Sequence, residues 1–286
     1  MCLIAFALHA DPSCALLIAA NRDEFLERPT AALHRWTLPD GTEVVAGRDL
    51  RDGGTWLALS PQGRVAMLTN VRQSLIGPGS RSRGELVTRW MQSDGDEDRF
   101  AKAIDPAAYA GFNLVVGDFH RQRWSWLGNR DPETPHDARV TALHRKALEP
   151  GVYGLSNASL DTPWPKTVQL KEAMNESLAG LRKHAVAEDW MNPLKRTLID
   201  TGPAQASALP HTGVPDDMER ALSSPFVRMP GRAYGTRSSL VVSALPNATG
   251  WDVHMDEWTH DPTVTPCIDR ALHRQETLHW WKPMRP

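Results

Sequence analysis

A cysteine stands at position 2, directly before the apolar run LIAFAL. Cysteine sulfur attacks carbonyl carbon as the thiolate, so a catalytic thiol needs a base close by. If Met1 is removed, the α-amino group of Cys2 becomes that base, since its ordinary pKa lies near 7.7–8.0. One residue then supplies nucleophile and base, and no histidine partner is required. The alternative is that Cys2 is only a small hydrophobe in a buried first strand.

Four polar clusters follow or precede apolar runs that read as strands. They are NRDE at 21–24, TNVR at 69–72, LSNAS at 155–159 and GTRSS at 235–239. Each alone fits a turn at a strand end, where Asn, Asp and Ser are favoured. Side chains at the ends of several strands can also converge on one mouth. Four such clusters together with a cysteine near the chain start favour an active site.

Nine short motifs occur in a fixed order along the chain: MCLIAFA, NRDE, GGTW, TNVR, SRGELV, FNLVVGD, GLSN, WPK and YGTRSS. Together they resemble the NRDE-motif family, also called the Transport and Golgi organisation family, from Met1 to about Asp261. The resemblance implies a branch of the N-terminal-nucleophile (Ntn) hydrolases. The implied fold is α+β, a four-layer αββα sandwich with two mostly antiparallel sheets and outer helices. Cysteine-type relatives include penicillin V acylases and bile salt hydrolases, which cleave non-peptide amides.

The same resemblance implies six catalytic residues, which are Cys2, Arg22, Asp23, Asn70, Asn157 and Arg237. Cys2 is then the nucleophile, and Arg22 lowers its pKa. Asp23 accepts a hydrogen bond from the terminal amine and orients it. An oxyanion forms during acyl transfer, and side-chain amides stabilise it.

Asn157 is the expected oxyanion donor, with Asn70 as a second asparagine. Arg237 is expected to hold the amine or the polar end of the substrate. Further residues are predicted to bind the ligand: Asn21, Gly53, Gly54, Thr55, Trp56, Arg72 and Trp164. The glycines of GGTW fit a loop whose backbone approaches a ligand, and they fit equally a bulge or turn that needs positive φ.

The predicted function is hydrolysis of a non-peptide amide, or a thioester, of a small acyl compound. No cofactor is required, and a metal site is not expected because the histidines are scattered and no CxxC or HExxH occurs. The alternative is a non-catalytic protein that binds or carries haem or an acyl-CoA in the same pocket, as the family's cellular associations suggest. Met229, His211 and His254 are weak candidates for ligands to haem iron.

The elements that position these residues follow a simple order along the chain: strands come first, helices lie in the middle and strands come last. The sequence predicts a buried hairpin over residues 2–8 and 14–21, helices over 84–91 and 162–182, and a closing strand pair from YGTRSSLVVSAL and GWDVHMDEW. A short helix is predicted at 268–277. We expect one domain over residues 1–262, with residues 263–286 as its C-terminal extension.

Bulk composition excludes several other classes of protein. The 286 residues carry a formal net charge of -2, so there is no basic footprint for nucleic acid. The apolar runs are far shorter than the roughly 20 residues that cross a bilayer, so membrane insertion is not expected. Three cysteines without metal spacing indicate a reducing compartment, and a cytoplasmic location is predicted. The oligomeric state is left open.

Overall fold

Two antiparallel sheets face each other in the computed structural model of this chain, which describes residues 2–73, 79–137, 140, 142–183 and 188–282. Each sheet has seven strands among these residues. The first sheet has the order β10-β1-β2-β12-β13-β14, with the short strand β11 paired to β12. Its strands are β1 Cys2–Asp11, β2 Cys14–Phe25, β10 Gly151–Leu155, β11 Arg228–Met229, β12 Tyr234–Pro246, β13 Gly250–Thr259 and β14 Leu272–Trp281.

The second sheet follows chain order from β3 to β9. Its strands are β3 Thr30–Thr37, β4 Glu43–Asp49, β5 Leu57–Leu59, β6 Arg64–Asn70, β7 Phe112–Asp118, β8 Arg123–Gly128 and β9 His144–Ala147. Five α-helices lie among the described residues. They are α1 Gly84–Gln92, α2 Glu97–Lys102, α3 Pro165–Lys183, α4 Asn192–Leu198 and α5 Asp216–Ala221.

Side-chain alternation along β1 explains the layers. Its even residues, such as Ile4 and Phe6, belong to the core between the sheets. Its odd residues, such as Leu3 and Ala5, pack against α3 and α4 on the outer face. Because both faces of β1 are covered, its sequence is a continuous apolar run.

The outer face of the second sheet is covered by α1 and α2. Leu86, Val87 and Trp90 of α1 are buried there, and α2 adds Phe100. The chain is therefore an α+β protein with four layers in the order helix, sheet, sheet, helix. This is the fold that the sequence predicted.

Most predicted elements are confirmed, and the tail is the main correction. The predicted helix at 84–91 is observed as α1, and the predicted middle helix is observed as α3. The predicted helix at 268–277 is wrong, because a single 3₁₀ turn at Ile268–Arg270 leads into strand β14. Leu278 and Trp280, two residues apart, are buried in the core between the sheets. This burial favours a strand over a helix.

No helix among the described residues is long and apolar enough to cross a bilayer. Within the same described ranges, no group of His, Cys, Asp and Glu side chains is arranged to hold a metal ion.

Candidate active site

The strand register places Cys2 at one end of a row of polar residues. Cys2 pairs with Arg22 across β1 and β2, Arg22 pairs with Ser238 of β12, and Ser238 pairs with Thr259 of β13. Residues that pair directly across a sheet share one of its faces. All four therefore point toward the space between the sheets, where they line a cavity of about 660 Å³ at one end of the sandwich.

Cys2 combines burial with access to this cavity. Only 7% of the residue is exposed, and it lies at the margin of the core between the sheets. Burial raises the pKa of the Cys2 thiol above its ordinary value, while the nearby Arg22 charge opposes the shift. Arg22 therefore acts in the predicted direction, but burial outweighs it. A thiol in this setting is protonated until a base removes its proton.

Asp23 lies beside Cys2 in a buried, hydrogen-bonded position. Its Oδ1 accepts a hydrogen bond of 2.7 Å from Thr236 Oγ1 of β12. Burial raises the pKa of this carboxyl group, and the Lys166 ammonium group is the largest influence that lowers it. Lys166 is itself buried and donates to the Leu222 carbonyl at 2.9 Å. Burial lowers the pKa of Lys166 to about 8.

The two predicted asparagines touch each other, and Asn70 is the one at the cavity. Asn157 is fully buried after β10, and its Nδ2 donates to Asn70 O at 3.0 Å and to Asn70 Oδ1 at 3.1 Å. Asn70 ends β6 and lines the cavity that Cys2 lines, whereas Asn157 does not. The bond from Asn157 fixes the amide of Asn70, whose Nδ2 makes no hydrogen bond to a described residue.

Ser156 connects this asparagine pair to the nucleophile. Its hydroxyl lies 3.3 Å from the Cys2 carbonyl oxygen and 3.2 Å from Asn157 Oδ1, both of which are acceptors. Thr69 Oγ1 also donates to the Ser156 carbonyl at 2.5 Å, which ties the end of β6 to the end of β10. These bonds join the two sheets next to Cys2. The motif GLSN contains this serine, but the sequence alone predicts no role for it.

Arg237 occupies a β-bulge. In the pairing of β2 with β12, Asp23 is opposite Thr236 and Arg22 is opposite Ser238, so Arg237 is the extra residue. A bulge redirects the side chain of the inserted residue. Arg237 lines the cavity and donates to the carbonyl groups of Phe25 and Leu26.

The GGTW segment serves both the turn and the cavity. Gly53 has φ +77, and a Cβ on Gly54 would lie 2.6 Å from the carbonyl carbon of Gly84. The two glycines thus allow a tight turn packed on the start of α1 and are not part of the cavity lining. Thr55 and Trp56, which follow, do line it, and Thr55 Oγ1 donates to Gly47 O at 2.6 Å.

Three predicted ligand-binding residues lie elsewhere. Asn21 is on the outer face of its sheet, where its Nδ2 donates to the carbonyls of Leu198 and Pro225. Trp164 is buried against Arg72, whose guanidinium carbon lies 4.8 Å from the ring centre. Arg72 forms a buried ion pair of 2.6 Å with Glu219.

A second cavity, of about 420 Å³, adjoins the first, and Arg72 lines it. The two cavities share five lining residues, which are Glu24, Phe25, Asn70, Arg83 and Ala110. Arg83 belongs to the motif SRGELV, and no role for it was predicted from the sequence. An arginine inside a motif and close to glycines is the signal that could have identified it.

The candidates for haem ligation do not converge. His211 and His254 are exposed, and only Met229 lines the second cavity. No described histidine lines either cavity. These two cavities therefore offer no histidine ligand to a haem iron.

Met1, whose removal would free the α-amine of Cys2, lies outside the described residues. Its removal therefore stays a prediction.

The chain is similar to two solved structures whose names describe hydrolases. The N-acylethanolamine-hydrolyzing acid amidase ortholog of Caenorhabditis elegans is 12% identical, with 69% of this chain and 86% of that chain covered and a TM-score of 0.46. The conjugated bile acid hydrolase of Clostridium perfringens, solved as a C2A mutant, is 9% identical, with 98% and 97% covered and a TM-score of 0.41.

Sequence comparison identifies closer relatives. The Transport and Golgi organization protein 2 homolog of Homo sapiens is 33% identical over 98% of this chain and 96% of its own length. Its Drosophila melanogaster counterpart is 27% identical over 85% and 87%. The family model described as Transport and Golgi organisation 2 matches residues 1–259. The chain therefore belongs to the Transport and Golgi organisation 2 family.

Proposed function

We propose that this protein is an N-terminal-cysteine hydrolase that cleaves a non-peptide amide, or a thioester, of a small acyl compound. The observation that carries the proposal is that Cys2 and Asn70, from the two facing sheets, line the same cavity, with the Asn70 amide fixed by Asn157. Three free cysteines further support a reducing compartment, and we propose the cytoplasm.

The first chemical step is attack by sulfur. After Met1 is removed, the α-amine of Cys2 takes the thiol proton, and Sγ forms a bond to the substrate carbonyl carbon. Burial raises the thiol pKa, so the thiol needs this base. Asp23, held by Thr236, orients the ammonium group that results.

The developing oxyanion needs a donor on the cavity wall. Asn70 Nδ2 fills this role, and Asn157 keeps the amide from rotating. The tetrahedral intermediate then collapses: the C–N bond breaks, and the α-ammonium returns its proton to the leaving nitrogen. Water hydrolyses the resulting thioester, which releases the carboxylic acid and restores the thiol.

The proposal is tested with Cys2→Ala and a panel of acyl amides and thioesters. We expect turnover by the wild-type chain and its loss in Cys2→Ala, with the melting temperature unchanged. Cys267→Ala is the matched control, because Cys267 is partly exposed and lines neither cavity. If wild type and Cys2→Ala show equal turnover once contaminating activity has been excluded, the proposal is contradicted.

A second candidate function is an acyl-CoA carrier without chemistry. The arginines of the larger cavity favour it, because guanidinium groups bind phosphates well. A carrier would bind acyl-CoA stoichiometrically and leave its thioester intact over prolonged incubation. Release of the free acid by the wild type but not by Cys2→Ala would decide for the hydrolase.

A further inference from the structure

Two unlike cavities meet at the proposed oxyanion donor. We call the cavity lined by Cys2 the cationic lobe and the adjoining cavity the apolar lobe. Asn70 and Arg83 line both lobes, whereas Cys2 lines only the cationic lobe. A substrate whose carbonyl group lies at Cys2 and Asn70 can therefore extend into both lobes, with a different part in each.

The cationic lobe carries an excess of positive charge. Seven arginines and five carboxylates line it among the described residues. Arg22, Arg28 and Arg81 form ion pairs with carboxylates. The other four make no ion pair with any described carboxylate, and they are Arg48, Arg51, Arg83 and Arg237.

Arg83 and Arg237 are half-buried, and carbonyl groups are their hydrogen-bond partners. Arg83 donates to Gly111 O at 3.2 Å, and Arg237 donates to Phe25 O at 3.3 Å. Burial lowers the pKa of both guanidinium groups, and for Arg237 the Arg22 charge lowers it further. The Glu24 charge raises the pKa of both groups and so offsets part of the cost of this burial. An anionic ligand would offset more of it.

The apolar lobe adds a group of hydrophobic side chains to its lining, beside Arg72, Arg83 and Arg232. Val214, Met218, Leu222 and Met229 line it, and three of them belong to one hydrophobic cluster with Tyr234. Methionine side chains adapt to apolar ligands of different shape. A cavity of about 420 Å³ accommodates an acyl chain of moderate length.

We propose that the substrate joins an apolar acyl group, seated in the apolar lobe, to an anionic leaving group held by Arg83 and Arg237. This inference rests on the proposed function, because it takes Cys2 and Asn70 as the site of the scissile carbonyl. The leaving group lies in the cationic lobe, where exposed Arg51 marks the side open to solvent. The acyl group remains on Cys2 while the anionic amine departs on that side.

Binding to the full chain carrying Cys2→Ala tests this without any need for turnover. The probes are N-decanoylglycine, with its anion on the amine side, N-decanoylethanolamine, which is neutral, and the monoethanolamide of decanedioic acid, with its anion on the acyl side. We expect N-decanoylglycine to bind about 10- to 100-fold more tightly than either other probe, as one or two charge-assisted hydrogen bonds would produce. Its affinity falls as salt is raised.

Arginine variants locate the anion. Arg83→Gln and Arg237→Gln, each added to Cys2→Ala, are expected to weaken N-decanoylglycine binding about tenfold and to leave the neutral probe unchanged. Arg196→Gln is the matched control, since Arg196 is exposed on α4 and lines neither lobe. Arg237→Lys is expected to retain part of the affinity.

Three results would overturn the inference. N-decanoylglycine could bind no more tightly than N-decanoylethanolamine, it could bind no more tightly than the monoethanolamide of decanedioic acid, or no probe could bind. The probe comparison needs no arginine variant, so it stands even if one fails to fold. If the wild-type chain cleaves no acyl amide but the preference for N-decanoylglycine is observed, the proposed hydrolase function is wrong. The inference that the ligand joins an apolar acyl group to an anionic group would still hold.

Discussion

Proton transfer at Cys2 is the main issue at the scale of single residues. A preformed thiolate would need a strongly electropositive setting, but burial raises the thiol pKa despite Arg22. The nearby Asp23 carboxylate also raises the thiol pKa. An amine on the same residue is therefore better placed than a distant cation to activate the sulfur. No described histidine lines this cavity, so none can replace the α-amine as the base for Cys2.

Asn70 provides the residue-scale prediction. Asn70→Ala is expected to lower kcat by about 10²–10³-fold with little change in KM, because its amide would act mainly on the oxyanion of the transition state. Asn175→Ala, at an exposed position of α3, is the control and should leave kcat unchanged. Steady-state kinetics on one cleaved amide measure both. An effect on KM alone would show that Asn70 binds substrate and does not stabilise the transition state.

Most residues of the site could be predicted from the sequence, but which of them contact each other and which face the cavity could not. Cys2, Arg22, Asp23, Asn70 and Arg237 all line the cavity, as strand-end clusters suggested. Which asparagine faces the cavity depends on how β6 and β10 meet across two sheets. A single sequence does not contain that distance. The oxyanion role that the resemblance implies for Asn157 stays a prediction, and the structure shows its Nδ2 bonded to Asn70.

The turn between β4 and β5 shows how elements shape the cavity. Its second glycine, Gly54, packs on the first residue of α1, and this contact holds Thr55 and Trp56 at the cavity wall. The sequence leaves two interpretations of GGTW open. The glycines fit the turn interpretation, because they make a tight turn and do not line the cavity, whereas the next two residues, Thr55 and Trp56, line it.

Gly54→Ala tests this contact. The added Cβ would approach Gly84 O to 2.8 Å, so we expect the free energy of unfolding to fall by about 1–3 kcal/mol, as overpacking typically costs. Gly231→Ala is the matched control, since no atom lies within 4 Å of its added Cβ. Denaturant unfolding measures both. A neutral Gly54→Ala would mean that turn and helix are loosely packed.

Strand β14 shows where element prediction fails. Its first half, LHRQET, is exposed and contains residues that tolerate a helix, so the sequence alone has no alternating apolar signal there. The burial of Leu278 and Trp280 comes only from pairing with β13 and from the facing sheet. Tertiary packing overrides local propensity in this segment.

At the scale of the whole molecule, the two sheets are joined at both ends. One junction is the bond from Asn157 to Asn70 beside Cys2. The other is Trp280 of β14, whose Nε1 donates to Ser60 O at 2.9 Å and whose ring lies 4.5 Å from that of Phe119. Strand β14 is therefore part of the core of the sandwich.

Trp280→Ala is expected to lower the free energy of unfolding by about 3–5 kcal/mol, because it removes a fully buried indole and leaves a cavity. Trp281, its neighbour, is 64% exposed, so Trp281→Ala should change stability by less than about 0.5 kcal/mol. Chemical denaturation compares the pair. Similar values for both would mean that the tail does not contribute to the core.

The central claim is that the α-amine of Cys2 is free in the functional protein. Intact-mass measurement of the purified chain tests it most directly, combined with turnover of an acyl amide by the same sample. We predict a mass that lacks Met1, with Cys2 as the first residue, and activity in proportion to that species. Full activity in a sample that retains Met1 would contradict the account.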